Sequence, residues 1–152
     1  MIPDHKVGLN NVYTTSSMPA NLNDEIDIGL HRDTISSGQL GLVKPNGTVC
    51  RFVDVAPGST GLMHRTQSLD YGLVVEGNVL MELDDGSITP MTRGDVAVQR
   101  GTMHSWRNAS ETEWARMFFV LQDCQPVVVG GKTLKEDIGI AAEILPSSGN
   151  DV

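Results

Sequence analysis

The sequence predicts an all-β domain, a sandwich or barrel of short strands, on three grounds. Sixteen glycines in 152 residues suit many tight turns better than long helices. Turn signals recur at short intervals from about residue 48 to 129: Pro57-Gly58, Gly77-Asn78, Asp85-Gly86, Arg93-Gly94, Arg100-Gly101 and Asn108-Ala109-Ser110. Between them lie segments of strand length, rich in β-branched and apolar residues, and regular spacing of such segments is the pattern of sandwiches and barrels.

Taken in order, residues 1–40 interleave Asn, Asp, Gly and Ser with apolar pairs such as Ile26/Ile28. They read as an irregular amino-terminal arm, with one or two strands lying on the barrel or exchanged with a partner. Residues 41–130 form the barrel. Its strands are TVCRFVDV, YGLVVEG, NVLMELD, DVAVQR and WARMFFVL, each flanked by breakers. VLMELDDGSITPM reads as a hairpin in which Asp85-Gly86 supplies the positive φ angles of a two-residue turn. In NVLMELD, Val79, Met81 and Leu83 oppose Leu80 and Glu82, so one face is deeply buried and the other partly covered, as a second subunit would cover it. Residues 131–152 are an extension in which TLKEDIGIAAEIL forms a short helix and PSSGNDV a frayed tail.

The formal net charge of -8, with Lys and Arg scattered, argues against nucleic acid, whose phosphates need a basic stripe. No apolar run approaches the length of a bilayer span and the first residues lack an export pattern, so a cytoplasmic, membrane-free protein is expected. Cys50 and Cys124 are far apart and outside any close-spaced motif, which fits two reduced, packed thiols.

The stretch HRTQSLDYG carries the chemistry. His64 and Thr66 are two apart, which on an extended strand puts both on one face, and Asp70 follows within reach. Two histidines at that spacing would clamp a metal, but here a threonine, a poor ligand, stands second.

Gly58, His64, Thr66, Asp70 and Gly77 fall at the spacing of G(X)5HXH(X)3-4E(X)6G, the first motif of the cupin superfamily. GDVAVQRGTMHSWRN resembles the second, with Gly94, His104 and Asn108 in place and Arg100-Gly101 standing for Pro-x-Gly, one residue short. The chain thus resembles small single-domain cupins of bacterial and fungal natural-product pathways. That resemblance implies a jelly-roll β-barrel whose motif residues face one open-mouthed cavity, a homodimer, and His64, Asp70 and His104 as the catalytic and metal-ligating set. Two imidazoles and a carboxylate suit Fe, Mn, Ni or Zn with open positions. Without a metal, the same groups serve as acid and base. No organic cofactor is expected.

Thr66, Tyr71 and Trp106 are candidates to touch substrate, each with an alternative reading as strand or packing residue. Of Arg51, Arg100 and Arg116, one facing the cavity would select a carboxylate, enolate or phenolate, whereas one facing out would pair with Asp54, Asp70, Asp95 or Glu113. His5 and His31 are reserve ligands. The expected function is a lyase or isomerase step (decarboxylation, dehydration or tautomerisation) on a small carbonyl or carboxyl molecule. The alternatives are an Fe(II) dioxygenase and a non-catalytic ligand-binding module.

Overall fold

The computed structural model describes residues 6–151. Ten strands lie in the order β1 (Val7–Thr15), β2 (Thr48–Val55), β3 (Ser68–Glu76), β4 (Asn78–Leu83), β5 (Ile88–Thr92), β6 (Val96–Arg100), β7 (His104–Asn108), β8 (Ala115–Asp123), β9 (Val127–Val129) and β10 (Lys132–Leu134). Helix α1 (Ile26–Ser37) follows β1. A five-stranded sheet β1-β2-β8-β3-β6 is accompanied by a three-stranded sheet β5-β4-β7, and β9-β10 form a separate hairpin. The expected two-layer β architecture is therefore present, as separate sheets rather than one closed ring.

Alternation along β8 sets the inside: Ala115, Met117, Phe119 and Leu121 are buried, while Arg116 between them is exposed. On β2, directly paired with β8, Val49, Arg51 and Val55 are buried on the same period. Parity thus places a guanidinium among the inward-facing side chains. Val74 of β3 and Val79 of β4, in the three-stranded sheet, complete the cluster that contains Met117, and each such side chain contributes about 1.5–3 kcal/mol when fully buried.

Two glycines explain their places. Gly77 joins β3 to β4 at φ +77°, and a Cβ there would stand 2.9 Å from the Ala115 Cα. Gly86 alone takes positive φ in the β4–β5 turn, with Gly86 N–H bonded to Leu83 O and Leu83 N–H to Ser87 O. The turn is therefore a three-residue loop with a glycine bulge, not the two-residue type expected from Asp85-Gly86.

The amino-terminal arm is more regular than its sequence suggests. β1 pairs with β2 along its length, from Val7 opposite Val55 to Thr15 opposite Thr48. The helix α1 was not expected; none of its residues is buried, so its apolar residues give no core-facing signal. It is tied to β1 through Tyr13, which donates to Asp27 and stacks on His31. His31 Nδ1 accepts from Thr14 N–H at 3.1 Å, which removes this histidine from the reserve ligands. His5 lies outside the described residues.

The expected helix over residues 133–145 is a 3-10 turn, Gly139–Glu143, preceded by β10. The tail is docked, not frayed. Ser148 Oγ accepts from Val43 N–H at 2.9 Å, and Asn150 Nδ2 donates to Gln67 O at 2.9 Å and to Asp123 Oδ1 at 2.6 Å. Those partners are backbone and side-chain groups distant in sequence, which no local pattern announces. Among the described residues no helix is long and apolar enough to cross a membrane.

Candidate functional site

His64 and His104 are paired across two chain segments. His64 N–H donates to His104 O and His104 N–H to His64 O, both at 2.9 Å. Directly opposed residues in such a pair hold their side chains on one face. The imidazole centroids are 4.4 Å apart. His64 Nδ1 lies 2.9 Å from Leu62 O, and His104 Nδ1 lies 3.0 Å from Thr102 O. A carbonyl only accepts, so each neutral ring carries its proton on Nδ1 and its lone pair on Nε2.

Both rings line a cavity of about 750 Å³, counting the space at its mouth. Its walls are mostly apolar, from Val53 and Val55 of β2, Phe119 and Leu121 of β8, and Trp106 of β7. Leu42, Leu62 and Leu145 reach it from three separate loops. Trp106 packs edge-on to both His104 and Phe119, at centroid distances of 5.8 and 5.4 Å. The polar groups on this wall are Arg51, His64, Asp70 and His104.

Asp70 faces inward from β3 and is 3% exposed. Its oxygens meet Ser68 Oγ at 2.5 Å and Thr66 Oγ1 at 3.5 Å, and Ser68 Oγ lies 2.8 Å from Thr66 Oγ1. Burial raises its pKa to about 6, against the lowering effects of Ser68, Thr66 and the Arg51 charge. Burial likewise lowers His64, and it lowers His104 to about 3 with the neighbouring His64 adding to the effect. The two rings accordingly take one proton before two.

Arg51 is 3% exposed. Its NH2 donates to Leu42 O at 2.9 Å and to Gly41 O at 3.2 Å, while Nε is buried without a partner. A donor left in that state costs about 1–3 kcal/mol. Burial lowers the guanidinium to about 10, offset by the Asp70 charge, so it stays a cation at neutral pH.

The remaining sequence candidates lie elsewhere. Tyr71 is 45% exposed on the outer face of β3, because it alternates with Asp70. Arg100 is exposed at the end of β6 for the same reason, beside buried Gln99. Arg116 faces outward, paired with Asp54 at 2.6 and 3.0 Å and set over the Phe52 ring. Thr66 is buried behind Asp70 and acts on the carboxylate without lining the cavity. Asn108, at the second motif's last position, is structural: its Nδ2 donates to Val55 O and Glu113 O. Ser68 was missed, although its place two residues before Asp70 on one strand face gave the signal. Leu42 and Leu145 carried none.

The divalent metal implied by the sequence resemblance does not fit this donor set. Two imidazoles are adjacent, but Asp70 is engaged by two hydroxyls and the third imidazole position is Thr66. Among the described residues no three His, Cys, Asp or Glu side chains are grouped to hold an ion.

Residues 51–121 match the Cupin domain family. The chain is 43% identical over 138 residues to phomopsin biosynthesis cluster protein D of Diaporthe leptostromiformis, covering 91% of this chain and 72% of that protein. It is 42% identical over 136 residues to a cupin-domain-containing oxidoreductase of Aspergillus ruber, covering 88% of this chain and 65% of that protein. An RmlC-like cupin protein from Desulfovibrio desulfuricans superposes with a TM-score of 0.51 at 13% identity, over 80% of this chain and 87% of that one, a likeness of fold.

Proposed function

The chain belongs to the cupin family, and on that premise we propose that it is a lyase or isomerase acting by proton transfer on a small carbonyl- or carboxyl-bearing molecule. The supporting observation is the imidazole pair: two neutral rings, each fixed in one tautomer by a backbone carbonyl, line an apolar cavity. A lone pair on Nε2 takes a proton from carbon next to a carbonyl, and the imidazolium returns it at another atom or to a leaving hydroxide. Low dielectric around the rings strengthens each charge interaction formed during that transfer. Dehydration and tautomerisation share this step; decarboxylation uses its second half alone, the C–C bond breaking to release CO2 and an imidazolium protonating the enolate carbon that is left. The relatives from biosynthesis clusters support a place in natural-product metabolism.

Cupins commonly bind a divalent metal; the donor set here does not fit one, and no step of this reading passes through it. A dioxygenase is the second reading, supported by the relatives described as oxidoreductases. Ligand binding without turnover is the third. We also propose a homodimer, supported by apolar side chains left exposed on α1 and on the outer face of β3 and β6.

The test uses 3-phenylpyruvate, an enolisable carbonyl acid, in deuterated buffer with chelator-treated protein. Deuterium incorporation above the buffer rate is expected, falling by about 10²-fold or more in His104→Gln. Oxygen consumption that requires added Fe(II) would instead establish the dioxygenase. Saturable binding with neither exchange nor oxygen use would leave the binding module.

A further inference from the structure

We propose that Arg51 is the specificity residue of this cavity, reading one anionic oxygen of a substrate whose remaining surface is apolar. The inference rests on the reading above, and it names the substrate class: an organic carboxylate on a ring-sized hydrocarbon body.

Three observations carry it. The guanidinium is buried on the inward face of β2, opposite Phe119, on a mostly apolar wall whose other polar side chains are His64, Asp70 and His104. One of its nitrogens is anchored on two successive backbone carbonyls, Gly41 O and Leu42 O, so the group is held in place by main chain and not by an acid. Nε has no partner, and among the described residues Arg51 forms no ion pair.

Asp70, whose charge it feels, is bonded to Ser68 and Thr66 instead. A buried cation that is positioned but unpaired is complementary to an incoming anion, and with one nitrogen held by main chain the guanidinium keeps donors for a single carboxylate oxygen.

The anchoring segment is itself held. Val43 N–H bonds to Ser148 Oγ, and a Cβ at Gly41 would lie 2.8 Å from the Ser148 backbone. The docked tail therefore backs the loop that aims Arg51, and it contributes Leu145 to the same cavity. Trp106 and Phe119, set edge to face, offer the surface for the hydrocarbon body.

The experiment is calorimetric titration of the full chain with 3-phenylpropanoate and with its methyl ester, neither of which needs to react. The acid should bind about 10-fold or more tightly than the ester. Arg51→Gln should abolish that preference while leaving ester affinity within about twofold, and Arg51→Lys, which keeps the charge but not the guanidinium's anchoring on Gly41 O and Leu42 O, should retain part of it. Equal binding of acid and ester by the wild type, no binding of either, or an undiminished preference in folded Arg51→Gln would overturn the assignment. Because the titration reads no turnover, a failure to find proton exchange leaves this result standing, and the converse holds.

Discussion

His64 and His104 form a reciprocal backbone pair, so the two imidazoles are brought together by main-chain hydrogen bonds that do not depend on their side chains. Substituting either ring should preserve the pairing. The proton balance of the fold should nevertheless change, because His104 is depressed to about 3 while an unfolded histidine titrates near 6.5. Between those values the unfolded chain binds more protons at this residue, so its contribution to stability is complete above about pH 6.5 and is lost as pH falls toward 3. Urea midpoints for wild type and His104→Gln should therefore converge on acidification, the wild type losing more. A constant gap across that range would contradict the burial of a neutral His104.

Asp70 carries the opposite sign. Its folded pKa, raised to about 6, exceeds the unfolded value of 3.8, so the folded state holds this proton more tightly. Its contribution is fully present below about pH 3.8 and is lost as pH rises through 6. Asp70→Asn, which keeps a donor and an acceptor beside Ser68 and Thr66, should gain on the wild type as pH rises from 4 to 7. Matched denaturation curves at the two pH values check this, and a stability of Asp70→Asn relative to wild type that is constant or lower at pH 7 than at pH 4 would refute it.

How far these residues were legible depends on the kind of pattern that marks them. Strand-length apolar segments between turn signals announced β2, β4 and β8, and motif spacing brought His64, Asp70 and His104 to one cavity. It did not settle which arginine faces in, since a single step of register inverts every side chain; the buried positions around Arg51 decide it. Thr66 looked like a cavity residue because an extended strand was assumed at 64–66, where the structure has only the isolated bridges of His64 and Arg65. Helix α1, with nothing buried, had no amphipathic stripe to read, and the tail's partners Val43 and Gln67 lie too far along the chain for local sequence to reveal.

The proposed homodimer makes a prediction that the structure helps to choose. Deleting residues 1–30 would remove β1, which is part of the five-stranded sheet, so loss of assembly could not be separated from loss of fold. Leu30→Glu is the better variant: Leu30 is exposed on α1, and a carboxylate there should cost the monomer less than about 0.5 kcal/mol. Sedimentation at micromolar concentration should show a dimer for the wild type and a lighter species for the variant, with an unchanged circular dichroism spectrum. A monomeric wild type would refute the assembly, and an unaltered dimer in Leu30→Glu would remove α1 from its interface.

Gly72 matters because its missing side chain leaves the room that the Phe119 ring occupies. It lies on β3 opposite Phe119 of β8, and a Cβ there would stand 2.6 Å from Phe119 Cε1 and 3.1 Å from Cδ1. No real contact is so short, so in Gly72→Ala the ring must move, and Phe119 is already part of the cavity wall beside Trp106. Overpacking of this kind costs about 1–3 kcal/mol. The displaced ring should also distort the apolar surface that receives the substrate body. Gly72→Ala should therefore lower the melting temperature and weaken 3-phenylpropanoate and its methyl ester by similar factors, since the Arg51 contact that distinguishes them is untouched. Loss confined to the acid would mean that residue 72 acts through the guanidinium, and unchanged affinity for both would show that the ligand does not rest on Phe119.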